Sequence, residues 1–237
     1  PVFVLDERLL RSRFVGEKRT AFLFDGLRSL DADLRSRGSR LLVRRGDPGA
    51  VLAQLCQEVG AAAVFAQREY SPFAVRRDGD VRDLLPVPLH LKDGLAARAP
   101  ESVRKDDGSP FVVYSPFAKR WRSAGPLLSG DLLPAPASIR TPGEPEGEAI
   151  PTAPALPSSV PFAAGEREGQ RRLRAFVTGE RAPVYDYAQL RNQPALNATS
   201  QLSPYLRWGM VSPRAAAAAA YAAIERAGEE GGANAQE

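Results

Sequence analysis

The first ninety residues alternate short apolar runs with longer amphipathic or charged stretches, and this alternation limits the fold more than any other feature. The runs predict strands at residues 2–5, 40–43, 62–65 and 88–91. The stretches between them predict helices at residues 16–38, 48–60 and 73–85. Strands that alternate with helices favour parallel pairing, right-handed crossovers and helices on both faces of the sheet. We therefore predict an α/β domain with a doubly wound parallel sheet.

The composition is that of an ordinary globular protein, with 43% hydrophobic and 25% charged residues. No apolar run approaches the ~20 residues that cross a bilayer, so we expect no membrane association. Cys56 is the single cysteine, which suits a reducing compartment, and we expect the protein in the cytoplasm. The net charge of +4 permits contact with nucleic acid, but acidic residues are interspersed throughout.

Residues 125–165 are rich in Pro, Ala, Gly, Ser and Glu and have no sustained period, which predicts an irregular connector. We therefore predict an α/β domain at residues 1–123, a loosely packed connector at 124–165 and a helical region at 166–237. In that last region, residues 166–178 have an amphipathic pattern. Ser212 as an N-cap, Pro213 and an alanine run predict a further helix that ends at Gly228. We expect the tail from residue 229 onward to be disordered.

Three hydroxyl residues, Thr199, Ser200 and Ser203, stand close together before an apolar turn that Pro204 opens. Hydroxyls and backbone N–H groups in this arrangement can converge on one anion at the start of a helix, which predicts a phosphate site. The alternative is simple capping, with Thr199 or Ser200 as one N-cap and Ser203 as another before Pro204. Residue chemistry alone favours the capping interpretation.

A longer sequence pattern favours the phosphate site over simple capping. Tyr187-x3-Arg191-x2-Pro194 is followed, from Thr199 to Arg214, by Thr-Ser-x-Leu-Ser-Pro-x-Leu-x-x-Gly-x-x-Ser-x-Arg. This pattern resembles the start of the flavin-binding domain of the DNA photolyase/cryptochrome family. The resemblance implies six residues that contact FAD, chiefly around its phosphates: Tyr187, Thr199, Ser200, Gln201, Leu202 and Ser203. It also implies that Arg191 faces DNA, whereas the alternative is a surface arginine in a salt bridge.

Two other segments are similar to the same family. Residues 111–121 resemble its aromatic signature, and residues 68–72 resemble the segment that precedes it. The resemblance therefore extends from Pro1 to about Arg226 and implies a Rossmann-like antenna domain with a light-harvesting chromophore: folate, deazaflavin or another flavin. Asp107 and Ser109 stand where folate-binding members have Asn and Glu, so the identity of the antenna stays open.

The resemblance also places Pro1 at the family's second strand and the last residues a helix or two into a large helical FAD-binding domain. We therefore expect a fragment at both ends, inactive alone, that supplies one wall of the flavin pocket. The missing first strand would be the central one. We predict two strand pairs that face a vacant slot, unless residues 2–5 pair directly with residues 62–65. An open slot exposes apolar side chains and would make the chain poorly soluble.

The function implied by the resemblance is that of a deoxyribodipyrimidine photolyase. Such an enzyme splits cyclobutane pyrimidine dimers in UV-damaged DNA by light-driven electron transfer from reduced FAD. The alternative is a cryptochrome-type photoreceptor without repair activity. A generic nucleotide-binding module is disfavoured, because the sequence has no Walker loop and no Gly-x-Gly-x-x-Gly fingerprint. We expect catalytic residues outside this chain, a monomeric full-length protein and no metal site.

Overall fold

A computed structural model of the chain describes residues 1–141 and 145–229, except for the side chains of Asp131 and Glu229. The strands are β1 Val2–Leu5, β2 Leu42–Arg45, β3 Val64–Gln67 and β4 Leu89–Lys92. The helices are α1 Glu7–Leu10, α2 Glu17–Arg35, α3 Pro48–Val59, α4 Pro72–Leu84, α5 Tyr114–Ser123, α6 Glu166–Val177, α7 Tyr187–Leu190, α8 Ser203–Arg207 and α9 Pro213–Glu229. In this part of the chain, none of the helices is both long and apolar enough to cross a membrane.

Helix starts follow the capping residues of the sequence. The Asp47 carboxylate accepts from the backbone N–H groups of Gly49 and Ala50 before α3, and the Ser71 hydroxyl accepts from Ala74 N before α4. The predicted cap before α9 is confirmed, because the Ser212 hydroxyl accepts from Ala215 N at 3.4 Å. That helix passes the predicted stop at Gly228 and ends at Glu229. The rest of the predicted disordered tail, residues 230–237, lies outside the described residues.

The four strands form two parallel pairs. In the first pair β1 lies beside β2, with Val2 opposite Leu42 and Leu5 opposite Arg45. In the second pair β3 lies beside β4. Among the described residues, no strand joins the two pairs. The predicted pair arrangement is therefore confirmed, and the alternative in which β1 pairs directly with β3 is not formed.

An apolar groove of about 510 Å³ is lined by residues of both pairs. Val2 and Phe3 of β1, Leu55 of α3, and Val64 and Phe65 of β3 contribute side chains to it. Phe65 is 66% exposed. Strands of a parallel sheet are ordinarily buried on both faces, so this exposure agrees with the predicted slot.

The described chain divides into two compact units, and their bounds differ from the three predicted segments. The first unit contains Pro1–Lys92 and Ala135–Glu166, and the second contains Asp93–Pro134 and the chain from Arg167 onward. The core of the first unit is formed by Leu5, Leu23, Phe24, Leu27 and Val43, with Ile150 packed against it. The second half of the predicted connector therefore contributes to the core of the first unit.

That half of the connector, which was predicted to pack loosely, is hydrogen-bonded to the rest of the first unit at several points. Glu148 N donates to Val43 O at 2.8 Å, which extends the hydrogen bonding of β2 at one edge. Arg28 Nη1 donates to Pro151 O at 2.7 Å, and Arg40 Nη2 donates to Pro145 O at 2.8 Å. A Cβ on Gly147 would stand 2.6 Å from a methyl carbon of Leu42. Hydrogen bonds from Arg28 and Arg40, together with one to the edge of β2, thus hold a segment that has no secondary structure of its own.

Candidate functional site

The predicted site residues all lie in the second unit. Tyr187 begins α7, Arg191 follows its last residue, and Ser203 begins α8. The end of the loop between these helices and the first residue of α8 together form residues 199–203, which we call the 199–203 loop. Leu202 is buried, Ser200 and Gln201 are half-buried, and Thr199 and Ser203 are exposed. The loop therefore presents two of its three hydroxyls to solvent.

The 199–203 loop carries hydrogen-bond donors that have no acceptor within the described residues. Within residues 1–141 and 145–229, the backbone N–H groups of residues 199–203 donate to no carbonyl or side chain, and the hydroxyls of Thr199, Ser200 and Ser203 have no hydrogen-bond partner. The capping interpretation is thus not supported at α8, where Leu202 occupies the cap position and no side chain caps the helix. A set of available donors on one short loop is suited to an anion such as phosphate.

The backbone of the loop has an unusual turn at Gln201. Its φ of 51° makes Gln201 the one non-glycine residue of the described chain with a positive φ. Leu202 next to it is right-handed, with φ −85° and ψ −6°. Successive residues of opposite hand turn their N–H groups toward a common point and form an anion-binding concavity. The left-handed conformation of a residue with a side chain costs about 1–3 kcal/mol, which neighbouring contacts must offset.

One of those contacts comes from Arg172 of α6, and the other comes from Asn197, four residues before Gln201. Arg172 Nη1 donates to Gln201 Oε1 at 2.7 Å, and Gln201 Nε2 donates to Asn197 Oδ1 at 2.9 Å. Arg172 Nε in turn donates to Glu168 Oε1 at 2.8 Å. Hydrogen bonds from Arg171 and then from Arg172 hold the pKa of Glu168 below its ordinary value. The Gln201 side chain is therefore engaged at both ends, so the loop offers a ligand the backbone of Gln201.

Tyr187 is held by the same helix. Its ring meets the ring of Phe176 edge to face, with centroids 5.8 Å apart. Phe176 lies four residues after Arg172, so the two side chains lie on one face of α6, about one turn apart. Helix α6 thereby fixes both Tyr187 and the 199–203 loop. Sequence reasoning named Tyr187 and the loop as candidates but did not name Arg172, for which the i,i+4 spacing from Glu168 was the available signal.

The packing of α6 against α8 is close. A Cβ on Gly169 would stand 2.6 Å from Val211 Cγ2 and 3.0 Å from Tyr205 Cδ1. Tyr205 is fully buried, and burial raises the pKa of its phenol. The Arg172 guanidinium carbon lies 5.8 Å from the centre of the Tyr205 ring. The absence of a side chain at Gly169 thus brings the start of α8 close to Arg172.

Arg191 is exposed, and its side chain lies near the ring of Tyr187, which belongs to the same sequence motif. Its guanidinium carbon lies 5.7 Å from the centre of the Tyr187 ring. Within the described ranges it forms no salt bridge, so the structure does not support the surface ion-pair alternative for this residue. Its charge is available to a partner in solvent.

The first unit has a cleft of about 220 Å³ whose lining residues are mostly charged. Residues that line it include Arg8, Asp47, Phe73, Arg76 and Arg77. Arg8 follows β1, and Asp47 and Phe73 lie at the starts of α3 and α4. Ligands of open α/β sheets bind at the carboxyl ends of the strands, where helices begin. The cleft is therefore the candidate ligand site of this unit.

The carboxylate of Asp6 orders one side of this cleft. Burial raises its pKa, but hydrogen bonds from the side chain and backbone of Arg8 outweigh that effect, so the pKa lies below its ordinary value. Arg8 also contacts Asp47 at 3.1 Å. Arg8 is thus held between the carboxylates of Asp6 and Asp47.

Comparison with known proteins assigns the chain to a family. The family model described as DNA photolyase matches residues 1–137. The deoxyribodipyrimidine photo-lyase of Streptomyces griseus is 34% identical over 98% of this chain and 50% of its own length. An enzyme of the same name from Thermus thermophilus is 35% identical over 96% of the chain and 49% of its own length. The chain thus spans about half the length of the curated relatives it matches.

Solved structures agree in fold. A class III photolyase from Agrobacterium tumefaciens has a TM-score of 0.77 and 26% identity, over 97% of this chain and 50% of that one. A cryptochrome from Synechocystis has a TM-score of 0.81 at 22% identity over the same shares, which is a likeness of fold alone. The fold is therefore of the α/β photolyase and cryptochrome class. The chain belongs to the DNA photolyase family.

Proposed function

We propose that the protein containing this chain is a deoxyribodipyrimidine photolyase that uses FAD to repair cyclobutane pyrimidine dimers in DNA. The observation that carries the proposal is the 199–203 loop, with its unpaired donors and its left-handed turn at Gln201. Relatives that are about a third identical and carry the photolyase name support the same assignment. Reduced FAD, when bound and excited by light, would supply the electron that splits the dimer.

The residues of this chain bind and orient. The donors of the loop fit the phosphates of FAD, because an anion needs several N–H or O–H donors and the loop has them unpaired. Thr199 and Ser203 add exposed hydroxyls, and Leu202, which is 5% exposed, contributes its backbone and anchors the loop in the core. Tyr187, held against Phe176, would form the adjoining wall of the cofactor site.

Two further parts of the proposal concern partners. Arg191 would contact a phosphate of UV-damaged DNA, because its guanidinium is exposed and has no carboxylate partner within the described residues. An antenna chromophore would use the cleft lined by Arg8, Phe73 and Arg76. Its volume of about 220 Å³ accommodates part of a folate, deazaflavin or flavin. We infer that the full-length protein works as a monomer in the cytoplasm.

The test uses the gene product that contains this sequence. A flavin absorption spectrum together with light-dependent repair of dimer-containing oligonucleotides is the expected result. The fold is shared with a cryptochrome, so a photoreceptor is the competing function. Bound flavin without repair would favour that photoreceptor, and a protein without flavin would overturn the proposal.

A second test addresses the loop. Replacing both exposed hydroxyls, Thr199→Ala with Ser203→Ala, should weaken FAD binding about ten- to a hundredfold per hydroxyl, because each donor to a charged group contributes about 1.5–3 kcal/mol. The matched control is Thr152→Ala with Ser159→Ala, which removes two exposed hydroxyls of the connector. Flavin content after gel filtration and a dissociation constant from equilibrium dialysis give the readout. Equal retention by both double variants would contradict the assignment of the loop.

A further inference from the structure

Gln201 adopts a conformation that its residue type does not favour. Its φ of 51° lies in the left-handed region, where the structure describes eight glycines but no other residue with a side chain. A glutamine can stay there only where its surroundings hold it. The side-chain amide of Gln201 makes two hydrogen bonds within the described residues: one accepted from Arg172 and one donated to Asn197.

Arg172 is built to stay in place. Its side chain is 15% exposed, its Nε donates to Glu168, and its guanidinium lies over the ring of Tyr205. The preceding residue, Arg171, pairs with the same Glu168 carboxylate, but its side chain is 61% exposed. Two adjacent arginines thus share one carboxylate, and it is Arg172 that reaches the loop, through a hydrogen bond of 2.7 Å to Gln201.

We propose that Arg172 is a positioning residue for the 199–203 loop. By holding the Gln201 amide, it keeps the Gln201 backbone left-handed, so that the N–H groups of residues 201–203 converge before a ligand arrives. The proposal rests on the proposed function in one respect, because it takes the ligand to be the phosphate portion of FAD. Arg172 does not touch that ligand; it acts through Gln201.

The experiment is a double-mutant cycle in the gene product that contains this sequence, with FAD dissociation constants measured on apoprotein by equilibrium dialysis. Arg172→Met should weaken FAD binding about ten- to a hundredfold, the range for loss of one charge-assisted hydrogen bond. Arg171→Met, the matched control, removes an arginine from the same carboxylate and should change affinity less than about twofold.

The decisive comparison uses Gln201→Gly as a second background. Glycine adopts a positive φ without strain, so the loop no longer needs its side-chain anchor. In that background Arg172→Met should weaken binding less than about threefold further. An equal loss in both backgrounds would overturn the proposal, because Arg172 would then act by its charge or through the general fold. No loss in the native background would overturn it as well.

A structural readout separates this inference from the proposed function. A crystal structure of the Arg172→Met apoprotein should show Gln201 outside the left-handed region, and that of Arg171→Met should retain it. If the unmodified protein takes up no FAD but the φ of Gln201 changes in this way, the flavin assignment fails and the positioning role stands. If Gln201 keeps its positive φ without Arg172, the positioning role fails whatever the protein binds.

Discussion

Replacement of Gly169 by alanine tests how closely α6 and α8 approach. The new Cβ would stand 2.6 Å from Val211 Cγ2 and 3.0 Å from Tyr205 Cδ1, well inside van der Waals contact. Val211 is 1% exposed and Tyr205 is 0% exposed, so neither side chain can turn toward solvent to make room. Overpacking of this kind costs typically about 1–3 kcal/mol. Alanine also favours a helix over glycine by about 1 kcal/mol, so we expect a net loss of about 1 kcal/mol in unfolding free energy.

Gly79 is the matched control, because it also lies within a helix. In α4 a Cβ at that position would meet nothing within 4 Å. Gly79→Ala should therefore raise the unfolding free energy by about 1 kcal/mol, because only the higher helix propensity of alanine contributes at this position. Urea unfolding followed by far-ultraviolet circular dichroism measures both variants in the gene product. If Gly169→Ala stabilised as much as Gly79→Ala, the close approach of α6 to α8 would be refuted.

Three other predictions follow from single side chains. Arg191→Ala should weaken binding to dimer-containing DNA with little regard to sequence and lower the salt slope of log K by about one; an unchanged slope would argue against a phosphate contact. Phe65→Ser should raise the soluble fraction of the expressed chain more than Phe14→Ser, because Phe65 lines the groove whereas Phe14, 71% exposed, does not; equal gains would implicate exposed area alone. Hydrogen bonds from Arg171 and the arginine after it lower the pKa of Glu168 in the folded protein. The ionised Glu168 therefore stabilises the fold above pH 4.5, and this stabilisation is lost as the pH falls through the pKa of the folded state. Glu168→Gln should therefore lose less stability on acidification, as thermal melts across that range would measure, and an unchanged pH profile would count against the ion pair.

Much of the fold could be predicted from local sequence. Strand and helix order follow from hydrophobic period, and Asp47, Ser71 and Ser212 mark helix starts because their short side chains accept from N–H groups one turn on. Strand ends were less predictable. The second, third and fourth strands begin one or two residues later than expected; before β3, Gly60 ends α3 in a left-handed conformation and the chain turns before it extends.

Features that depend on distant contacts could not be predicted in this way. The packing of the connector depends on carbonyls that meet Arg28 and Arg40, more than one hundred residues away in the chain. At the candidate site, the motif pointed to the loop, but the bond from Arg172 to Gln201 spans 29 residues and has no local period. A positive φ at a glutamine has no sequence signal, because glutamine is not a residue that such turns select.

The two separate strand pairs have a consequence for the order in which the first unit folds. Each pair, with the helical segment between its strands, is a complete βαβ unit: β1, α1, α2 and β2 in one, and β3, α4 and β4 in the other. In each unit the two strands are close in sequence, so the entropy cost of bringing them together is small. Each unit can therefore form from its own residues. Among the described residues no interstrand hydrogen bond ties one to the other. Amide exchange in β1 and in β3 should therefore respond to different openings, each the size of one βαβ unit.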